Sequence, residues 1–370
     1  MSSALPKLCI VSVSLAKGGA ERSAAVLSEL LYNLGYDVHI AILTNQIDYT
    51  YRGKLFNLGE EKENADHPIA RFKRFKMFRQ YLQDKKIDLV IDHRPKNNYY
   101  REVFYAKYLY RGISRIYVVH SSKKSTYFAN PLDKMIKLYQ SNFKSVGVSS
   151  FITQNLLIQQ GISNAVCIPN AYSRNWNNTE NNIPAELQKL KKYILFYGRI
   201  DNQIKDIQFL INAFTTSKLW KKNVHLVIMG NGPDKESLQM HTYQLASVDF
   251  IRFLPYQSKP FQIIKQAELV ALTSKYEGFP MVLIESLAMK TPVVSLDFTS
   301  GPREVIQHRK NGLLVENRSE SEFAKALEEM CFNETLRNTC IKNALASIEA
   351  FSEKEIAKKW NSVLTDFDSQ

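Results

Sequence analysis

Carboxylates and cations stand in loops where the sequence predicts that buried strands end. Residues 274–285 follow an apolar strand and contain Glu277, a glycine turn and Pro280, which we predict to be the first residue of a helix. Carboxylates bind sugar hydroxyls well, and the N–H groups at a helix start attract phosphate. Arg199 and Lys205 follow another predicted strand, where a planar guanidinium and an ammonium could clamp a diphosphate. Together these residue types predict a site for a phosphorylated sugar, although two solvated surface cations would explain Arg199 and Lys205 alone.

A second candidate set lies in the first half of the chain. Residues 17–22 read KGGAER directly after a predicted strand. Gly18 and Gly19 would let the backbone approach a ligand at a helix start, although a glycine turn with no ligand fits equally well. No Gly-Lys-Ser/Thr follows, so the segment is not a P-loop, and it is not G-x-G-x-x-G. His120 ends a later strand, where a lone histidine is more often structural.

The composition excludes several classes of protein. Of 370 residues, 45% are hydrophobic and 23% charged, a balance typical of globular chains rather than disordered or collagen-like ones. This length predicts two domains. No apolar stretch approaches the ~20 residues of a membrane-spanning helix, and the first apolar run is too short for a signal peptide. We therefore expect a cytosolic protein.

The cysteines and histidines give no sign of a metal site. The four cysteines lack C-x-x-C spacing and the seven histidines lack H-x-x-x-H pairing. We expect no metal, no cofactor and a reducing compartment.

Positive charge is concentrated in the first half. Residues 1–180 hold 25 Lys and Arg against 14 Asp and Glu, which predicts attraction to an anionic partner. Residues 69–83 form a basic amphipathic helix on a helical wheel, which could lie in a lipid headgroup layer or pack its Phe stripe on a sheet. The basic residues assigned to a membrane or acceptor surface are Arg71, Lys73, Arg74, Lys76 and Arg79. Aromatic residues among the cations would also suit single-stranded nucleic acid, but no recognition module is present.

Strand and helix patterns alternate along the whole chain. The apolar runs predicted as strands are 8–14, 38–44, 87–92, 115–121 and 145–150, then 193–199, 224–230, 249–254, 269–274 and 291–297. Such alternation predicts an α/β protein with two doubly wound parallel sheets. We assign residues 1–175 to a basic first domain and 176–350 to a second domain. The polar stretch 173–183 is the predicted linker, and 351–370 a terminal helix.

The motifs in this order resemble the retaining glycosyltransferases of family 4, which have the GT-B fold of two facing Rossmann-like domains and an interdomain cleft. The most specific part is EGFPMVLIE, from Glu277 to Glu285, an E-x7-E signature. GGAER at 18–22, IPNAYS at 168–173 and YGRIDNQIKD at 197–206 stand where that family has its other motifs. The resemblance covers nearly the whole chain. It implies that residues 1–175 are the acceptor-side, membrane-facing domain, that 176–350 bind the nucleotide sugar, and that the terminal helix 351–370 crosses back to the first domain. Asp206 departs from the family pattern, because glycine often follows the lysine there.

The resemblance implies a role for each site residue. Arg199 and Lys205 would neutralise the donor diphosphate, Glu285 would hold the ribose and Glu277 would meet the transferred sugar. Gly19 would border that sugar, with His120 on the acceptor side. The other residues assigned to donor binding are Gly18, Tyr256, Gly278, Phe279, Pro280, Met281 and Val282. Fixed cations and a helix N-terminus would stabilise the leaving nucleoside diphosphate without a metal.

We therefore expect a glycosyltransferase that moves a hexose or N-acetylhexosamine with retention of the anomeric configuration. The expected partners are a UDP-sugar, a lipid-linked or lipopolysaccharide-type acceptor and an anionic membrane surface, with no nucleic acid. We expect the protein at the inner face of the cytoplasmic membrane, in surface glycan synthesis. The alternatives are a GDP-mannose enzyme, a nucleotide-sugar epimerase and a non-catalytic subunit that binds nucleotide sugar or membrane.

Overall fold

The chain forms two compact units in a computed structural model that describes residues 5–60, 67–173, 176 and 183–369. The first unit consists of Met1–Ala171 and Glu353–Gln370, and the second of Tyr172–Ser352. The predicted boundary between 175 and 176 and most of the predicted linker at 173–183 lie outside the described residues.

The strands and helices alternate through both units. The strands are β1 Lys7–Ser12, β2 Asp37–Ile42, β3 Lys54–Asn57, β4 Leu89–Asp92, β5 Ser114–Val119, β6 Lys144–Gly147, β7 Ala165–Cys167, β8 Lys192–Tyr197, β9 Val224–Met229, β10 Ile251–Leu254, β11 Leu269–Leu272, β12 Val293–Leu296 and β13 Gly312–Val315. The α-helices are α1 Gly19–Asn33, α2 Pro68–Asp84, α3 Tyr99–Phe104, α4 Lys124–Tyr127, α5 Leu132–Gln140, α6 Ala185–Gln188, α7 Asn202–Lys205, α8 Ile207–Ser217, α9 Lys235–Thr242, α10 Phe261–Gln266, α11 Met281–Ala288, α12 Pro302–Val305, α13 Glu320–Phe332, α14 Glu334–Ser347 and α15 Glu353–Asp368. Short π-helical or 3-10 segments are Tyr105–Leu109, Ile152–Leu157, Ile158–Gln160, Leu219–Lys222, Val248–Phe250 and Glu349–Phe351.

Each unit is built on one parallel sheet. Among the described residues, the first sheet has the order β3-β2-β1-β4-β5-β6-β7 and the second the order β10-β9-β8-β11-β12-β13. Every pairing is parallel; Lys7 lies opposite Asp37 and Lys192 opposite Val224, for example. Both sheets are thus doubly wound α/β sheets, and their central strands are near-continuous apolar runs because helices cover both faces.

All ten apolar runs that the sequence predicts as strands overlap strands in the described part of the chain. The strands that the sequence analysis missed are β3, β7 and β13, each at the edge of its sheet. Residues of β3 and β7 are only partly buried, so their sequences lack a continuous apolar run. Partial burial therefore explains why β3 and β7 were missed; β13 is buried throughout, and burial does not explain why it was missed.

The basic helix α2 packs part of its aromatic stripe inward. Phe78 and Leu82 are buried in a core cluster, and Phe75 packs against that cluster. Phe72, by contrast, is 52% exposed and Ile69 85% exposed. The Phe stripe as a whole is therefore not available to a headgroup layer, because its second half packs in the unit's interior. No helix in the described segments is long and apolar enough to cross a membrane.

Candidate functional site

The strand order of the second unit fixes where a ligand can bind. The chain reverses direction across the sheet between β8 and β11, which are neighbours in it. In open parallel sheets, ligands bind beyond the carboxyl ends of the strands at this reversal point. The loops that leave β8 and β11 carry the predicted residues Arg199, Lys205 and Glu277.

The loop after β8 holds its two cations differently. The Arg199 side chain is 68% exposed, and its Nε lies 3.8 Å from Asp201 Oδ2. Lys205 ends the short helix α7 and is 16% exposed. The backbone of this loop touches the loop after β9 so closely that a Cβ atom on Gly230 would overlap the carbonyl oxygen of Gly198. That close approach explains the glycine after β9 without a ligand.

An ion pair joins the loops after β8 and β11. Lys205 Nζ donates to Glu277 Oε1, across a separation of 72 residues in the sequence. The same carboxylate oxygen accepts a hydrogen bond of 2.7 Å from Ser274 Oγ. Both side chains of the pair are about five-sixths buried, at 16% and 15% exposure. A cation and a carboxylate are thus fixed side by side at the reversal point.

The second carboxylate of the E-x7-E motif is buried in the second turn of α11. Glu285 is 2% exposed, and the Tyr197 hydroxyl lies 2.9 Å from its Oε2. The same hydroxyl lies 3.0 Å from the carbonyl oxygen of Val282. Because Tyr197 is the last residue of β8, this contact ties the strand end to the helix. Pro280 is the residue before the first helical residue, Met281, rather than the first helical residue itself.

The glycine turn before α11 is held by a hydrogen bond and by the packing of aromatic rings. Ser300 Oγ donates a 2.8 Å hydrogen bond to the carbonyl oxygen of Gly278, and Phe279 is buried against Phe351 with ring centroids 5.3 Å apart. Tyr256 lies half-buried in the loop after β10, the outermost strand of the same sheet. Residues 278 and 279 of the turn are therefore fixed by contacts with Ser300 and Phe351.

The first unit has a corresponding reversal point between β1 and β4. Gly18 is the residue before α1, and Gly19 is its first helical residue. His93 directly follows β4, and its backbone N–H donates 2.8 Å to the carbonyl oxygen of Val11 in β1. His120 follows β5, the next strand along.

The two histidines form a stacked pair. His120 Nε2 lies 2.9 Å from His93 Nδ1, and the ring centroids are 5.0 Å apart at an interplanar angle of 28°. Burial, reinforced by the Lys96 cation, lowers the pKa of His93 to about 3. Burial, His93 and Lys96 together lower the pKa of His120 well below its ordinary value. Both rings are therefore neutral at physiological pH, so His120 can hydrogen-bond but does not carry a proton charge.

A buried charge network includes Asp92, the residue directly before His93. Asp92 accepts from Arg94 Nη2 at 2.6 Å and from Lys96 Nζ at 3.0 Å, and Arg94 Nη2 also donates to Glu102 at 3.1 Å. Burial alone would raise the pKa of Asp92, but the two cations outweigh it and hold that pKa well below its usual range. Buried charges of this kind persist only when they are paired.

The structure thus gathers the predicted residues into two groups. Arg199, Lys205, Tyr256, Glu277 to Val282 and Glu285 all lie at the carboxyl edge of the second sheet or on α11, and Gly18, Gly19 and His120 at that of the first. The predicted basic residues of 71–79 all lie on α2. Sequence reasoning missed His93, although a histidine directly after the predicted strand 87–92 was a usable signal. It also assigned no role to Tyr197, although the motif at 197–206 begins with this residue.

No group of three or more His, Cys, Asp or Glu side chains that could hold a metal ion occurs among the described residues. The cations that the sequence analysis assigned to a diphosphate, Arg199 and Lys205, both lie after β8.

Comparison with known proteins finds similarity to glycosyltransferases. Residues 178–346 match glycosyl transferases group 1. The chain is 26% identical over 365 residues, 96% of its length and 98% of the relative's, to the N-acetylgalactosamine-N,N'-diacetylbacillosaminyl-diphospho-undecaprenol 4-alpha-N-acetylgalactosaminyltransferase of Campylobacter jejuni. It is 25% identical over 354 residues, 94% of its length and 96% of the relative's, to the amylovoran biosynthesis glycosyltransferase AmsD of Erwinia amylovora.

Solved structures share the fold over nearly the whole chain. HepE of Anabaena in complex with UDP-glucose superposes with a TM-score of 0.76 at 17% identity, covering 98% of this chain and 100% of that one. The pneumococcal O-GlcNAc transferase GtfA in complex with UDP and GlcNAc gives 0.75 at 13% identity, covering 98% and 99%. The predicted resemblance to glycosyltransferases and the GT-B fold of two Rossmann-like domains are confirmed, while membership of family 4 and retention stay predictions.

Proposed function

We propose that this chain, whose residues 178–346 match glycosyl transferases group 1, is a glycosyltransferase that moves a hexose or N-acetylhexosamine from a UDP-sugar to a lipid-linked saccharide. The observation that carries the proposal is the Lys205–Glu277 pair at the reversal point of the second sheet. A diphosphate and a sugar ring need a cation and a hydroxyl acceptor side by side. The pair supplies both.

The choice of donor and acceptor draws support from the relatives. The Campylobacter relative's name specifies a diphospho-undecaprenol acceptor, and HepE and GtfA were solved with UDP-glucose or UDP. We extend both chemistries to this chain, together with the retention of anomeric configuration. Arg199 and Lys205 are proposed to bind the diphosphate, Glu285 the ribose and Glu277 the transferred sugar. A GDP-mannose donor remains the alternative within the same enzyme class.

In this mechanism, the protein stabilises the leaving nucleoside diphosphate as the glycosidic bond breaks. Positive charge from Lys205 and Arg199 offsets the charge that develops on the phosphate oxygens, and the N-terminal turn of α11 adds its dipole. His120, neutral and held by His93, is proposed to hydrogen-bond a sugar hydroxyl. We assign no protein nucleophile and no metal, so a chelator should leave turnover unchanged.

Calorimetric titration with UDP, GDP and ADP in the absence of metal tests the donor proposal. We expect micromolar binding of UDP, with at least about tenfold weaker binding of GDP and ADP. Lys205→Met should raise the Kd for UDP about 10- to 100-fold, because a charge-assisted contact is worth about 1.5–3 kcal/mol. Arg309→Gln is the control, since it removes a different, exposed ion pair with Glu329 of the same unit.

Each other outcome of the titration has a definite meaning. Preference for GDP would redirect the proposal to mannose transfer. If none of the three nucleotides bound, the donor site would be wrong and the alternative of a non-catalytic subunit would be favoured. With a working donor and acceptor, the anomeric configuration of the product, read by NMR, decides retention against inversion.

We also propose that α2 helps the enzyme meet its lipid-linked acceptor at the inner face of the cytoplasmic membrane. Ile69, Lys73 and Lys76 lie on one exposed face of the helix, at i, i+4 and i+7. Phe72 and Met77 border that face and are 52% and 39% exposed. Cations beside exposed apolar side chains suit an anionic headgroup layer.

Sedimentation with vesicles that contain anionic lipid tests this membrane proposal. We expect binding that weakens as salt rises, and loss of most of it in Lys73→Glu/Lys76→Glu. Lys325→Glu/Lys342→Glu makes the same charge change on exposed helix positions of the second unit and should bind normally. Equal loss in both variants would show that net charge alone drives binding, and a steep salt-dependent affinity for oligonucleotides instead would favour a nucleic-acid partner.

A further inference from the structure

Arg318 joins the two loops that carry the Lys205–Glu277 pair. It stands between β13 and α13, and its Nη1 donates 2.6 Å to Asp206 Oδ2 and 3.1 Å to the carbonyl oxygen of Thr273. Its Nη2 donates 2.7 Å to the carbonyl oxygen of Ser274. The guanidinium carbon also lies 5.7 Å from the centroid of the Phe209 ring. One planar side chain thus holds residue 206 after α7 and residues 273 and 274 after β11.

The backbone conformation at Asp206 is one that favours glycine, so the contact of its side chain with Arg318 offsets a conformational cost. Asp206 has φ 49° and ψ 50°, in the left-handed region, where a residue with a Cβ costs about 1 kcal/mol more than glycine. The aspartate nevertheless gains what glycine lacks, which is a carboxylate for Arg318. The residue after Lys205 is therefore locked to Arg318 at the point where α7 turns into α8.

Further bonds link the locked segments directly to the donor residues. Thr273 Oγ1 lies 3.0 Å from the carbonyl oxygens of both Lys205 and Asp206. Lys275 N donates 2.8 Å to the carbonyl oxygen of Ile204. Ser274, whose carbonyl Arg318 binds, uses its side chain to hold Glu277. A shift of either loop would therefore change the spacing of Lys205 and Glu277.

We propose that Arg318 is a positioning residue for donor binding, acting through Asp206 and Ser274 on Lys205 and Glu277. This inference rests on the proposed function, because it takes that pair as the donor site. Arg318 itself need not touch the donor. Its planar fork reaches a carboxylate and two carbonyls at once, which a lysine cannot reproduce.

Titration of UDP into Arg318 variants gives the first test. We expect Arg318→Gln to raise the Kd for UDP about 5- to 20-fold and Arg318→Lys to have an intermediate effect. Asp206→Gly should also weaken UDP binding while it relieves the strained backbone, so it remains informative if Arg318→Gln folds poorly. The control variant Arg309→Gln, which removes the exposed ion pair with Glu329, should bind UDP normally.

A double variant separates positioning from general destabilisation. If Arg318 acts through Lys205, then adding Arg318→Gln to Lys205→Met should weaken UDP binding less than about twofold further. An equal loss on both backgrounds would overturn the proposal, as would normal UDP binding by Arg318→Gln.

Hydrogen exchange supplies a test that needs no nucleotide. The Lys275 amide, which bonds to Ile204 across the two loops, should exchange faster in Arg318→Gln than in Arg309→Gln. If the native protein bound no nucleotide while this exchange difference appeared, the donor proposal would fail and the locking of the loops would stand. An unchanged Lys275 exchange rate would overturn the role of Arg318.

Discussion

At the scale of single residues, burial decides the charge state of the candidate groups in the first unit. His93 is 2% exposed, and its low pKa follows from that burial together with the Lys96 cation. Burial also lowers the pKa of Lys96 to about 8, despite the opposing attraction of Asp92. The His93–His120 pair is therefore a neutral hydrogen-bonding unit, next to a network of paired charges that includes Asp92.

The low pKa of His93 predicts how stability depends on pH. Unfolding returns the pKa to about 6.5, so between about pH 6.5 and pH 3 the unfolded state binds a proton that the folded state does not. Stability should therefore fall as the pH drops through this window, by about 2 kcal/mol from His93 at pH 5. Urea unfolding of the first unit at pH 7 and pH 5 measures this loss.

His93→Asn isolates that contribution, because the amide keeps a polar group near the Nδ1 position. The variant should lose correspondingly less stability between pH 7 and pH 5. His67→Gln, at an exposed histidine of the same unit, should behave like the native protein. An unchanged pH dependence in His93→Asn would mean that His93 titrates normally.

At the scale of elements, the loops after the strands are held by tight packing as much as by charge. Gly301 precedes α12 with φ 100°, and a Cβ atom there would overlap the ring of Pro280. Pro280 directly precedes Met281, the first helical residue of α11. The loop after β12 therefore sets the position of the helix that carries Glu285.

Gly301→Ala should move Pro280 and with it the start of α11. We expect the Kd for UDP to rise about 5- to 10-fold and stability to fall by about 1–3 kcal/mol, as overpacking and positive φ both act. Gly112→Ala is the control, because Gly112 has φ 82° but no atom lies within 4 Å of its added Cβ. Titration and thermal unfolding of both variants measure the difference, and equal effects on UDP binding would contradict a role for the Pro280 contact.

At the scale of the whole molecule, the chain leaves the first unit and returns to it. Helix α15 belongs to the first unit, although it follows the second in sequence. Its residues Ile356 and Trp360 lie with Val26 and Leu30 of α1 around a small internal space. The C-terminal helix is therefore part of the core of the N-terminal unit.

Trp360→Ala should destabilise the first unit selectively. Truncation of a buried aromatic residue costs about 3–5 kcal/mol, and Trp360 is 4% exposed. In a calorimetric scan, we expect the transition of the first unit to shift down while that of the second stays in place. Trp220→Ala, which removes a partly buried ring packed on the core of the second unit, should shift the other transition. A common shift in both variants would show that the units unfold together.

Much of this arrangement was predictable from sequence because it follows from burial and chain direction. Central strands of a parallel sheet are covered on both faces, so each leaves a continuous apolar run, and the residue after the run lies at the carboxyl edge. That logic placed Arg199, Lys205, Glu277 and His120 at strand ends. The E-x7-E motif added the resemblance to glycosyltransferases, which the comparisons confirm.

The tertiary structure decided which of these side chains meet. Lys205 and Glu277 are separated by 72 residues, and local sequence patterns carry no information about contacts across such a distance. The same holds for His93 with His120 and for Arg318 with Asp206, whose partners depend on the order of strands in the sheet. The sequence determined the elements and the chemistry at their ends, because local periodicity and burial encode them. The pairing of those ends came only from the fold, because it depends on how strands distant in sequence are ordered.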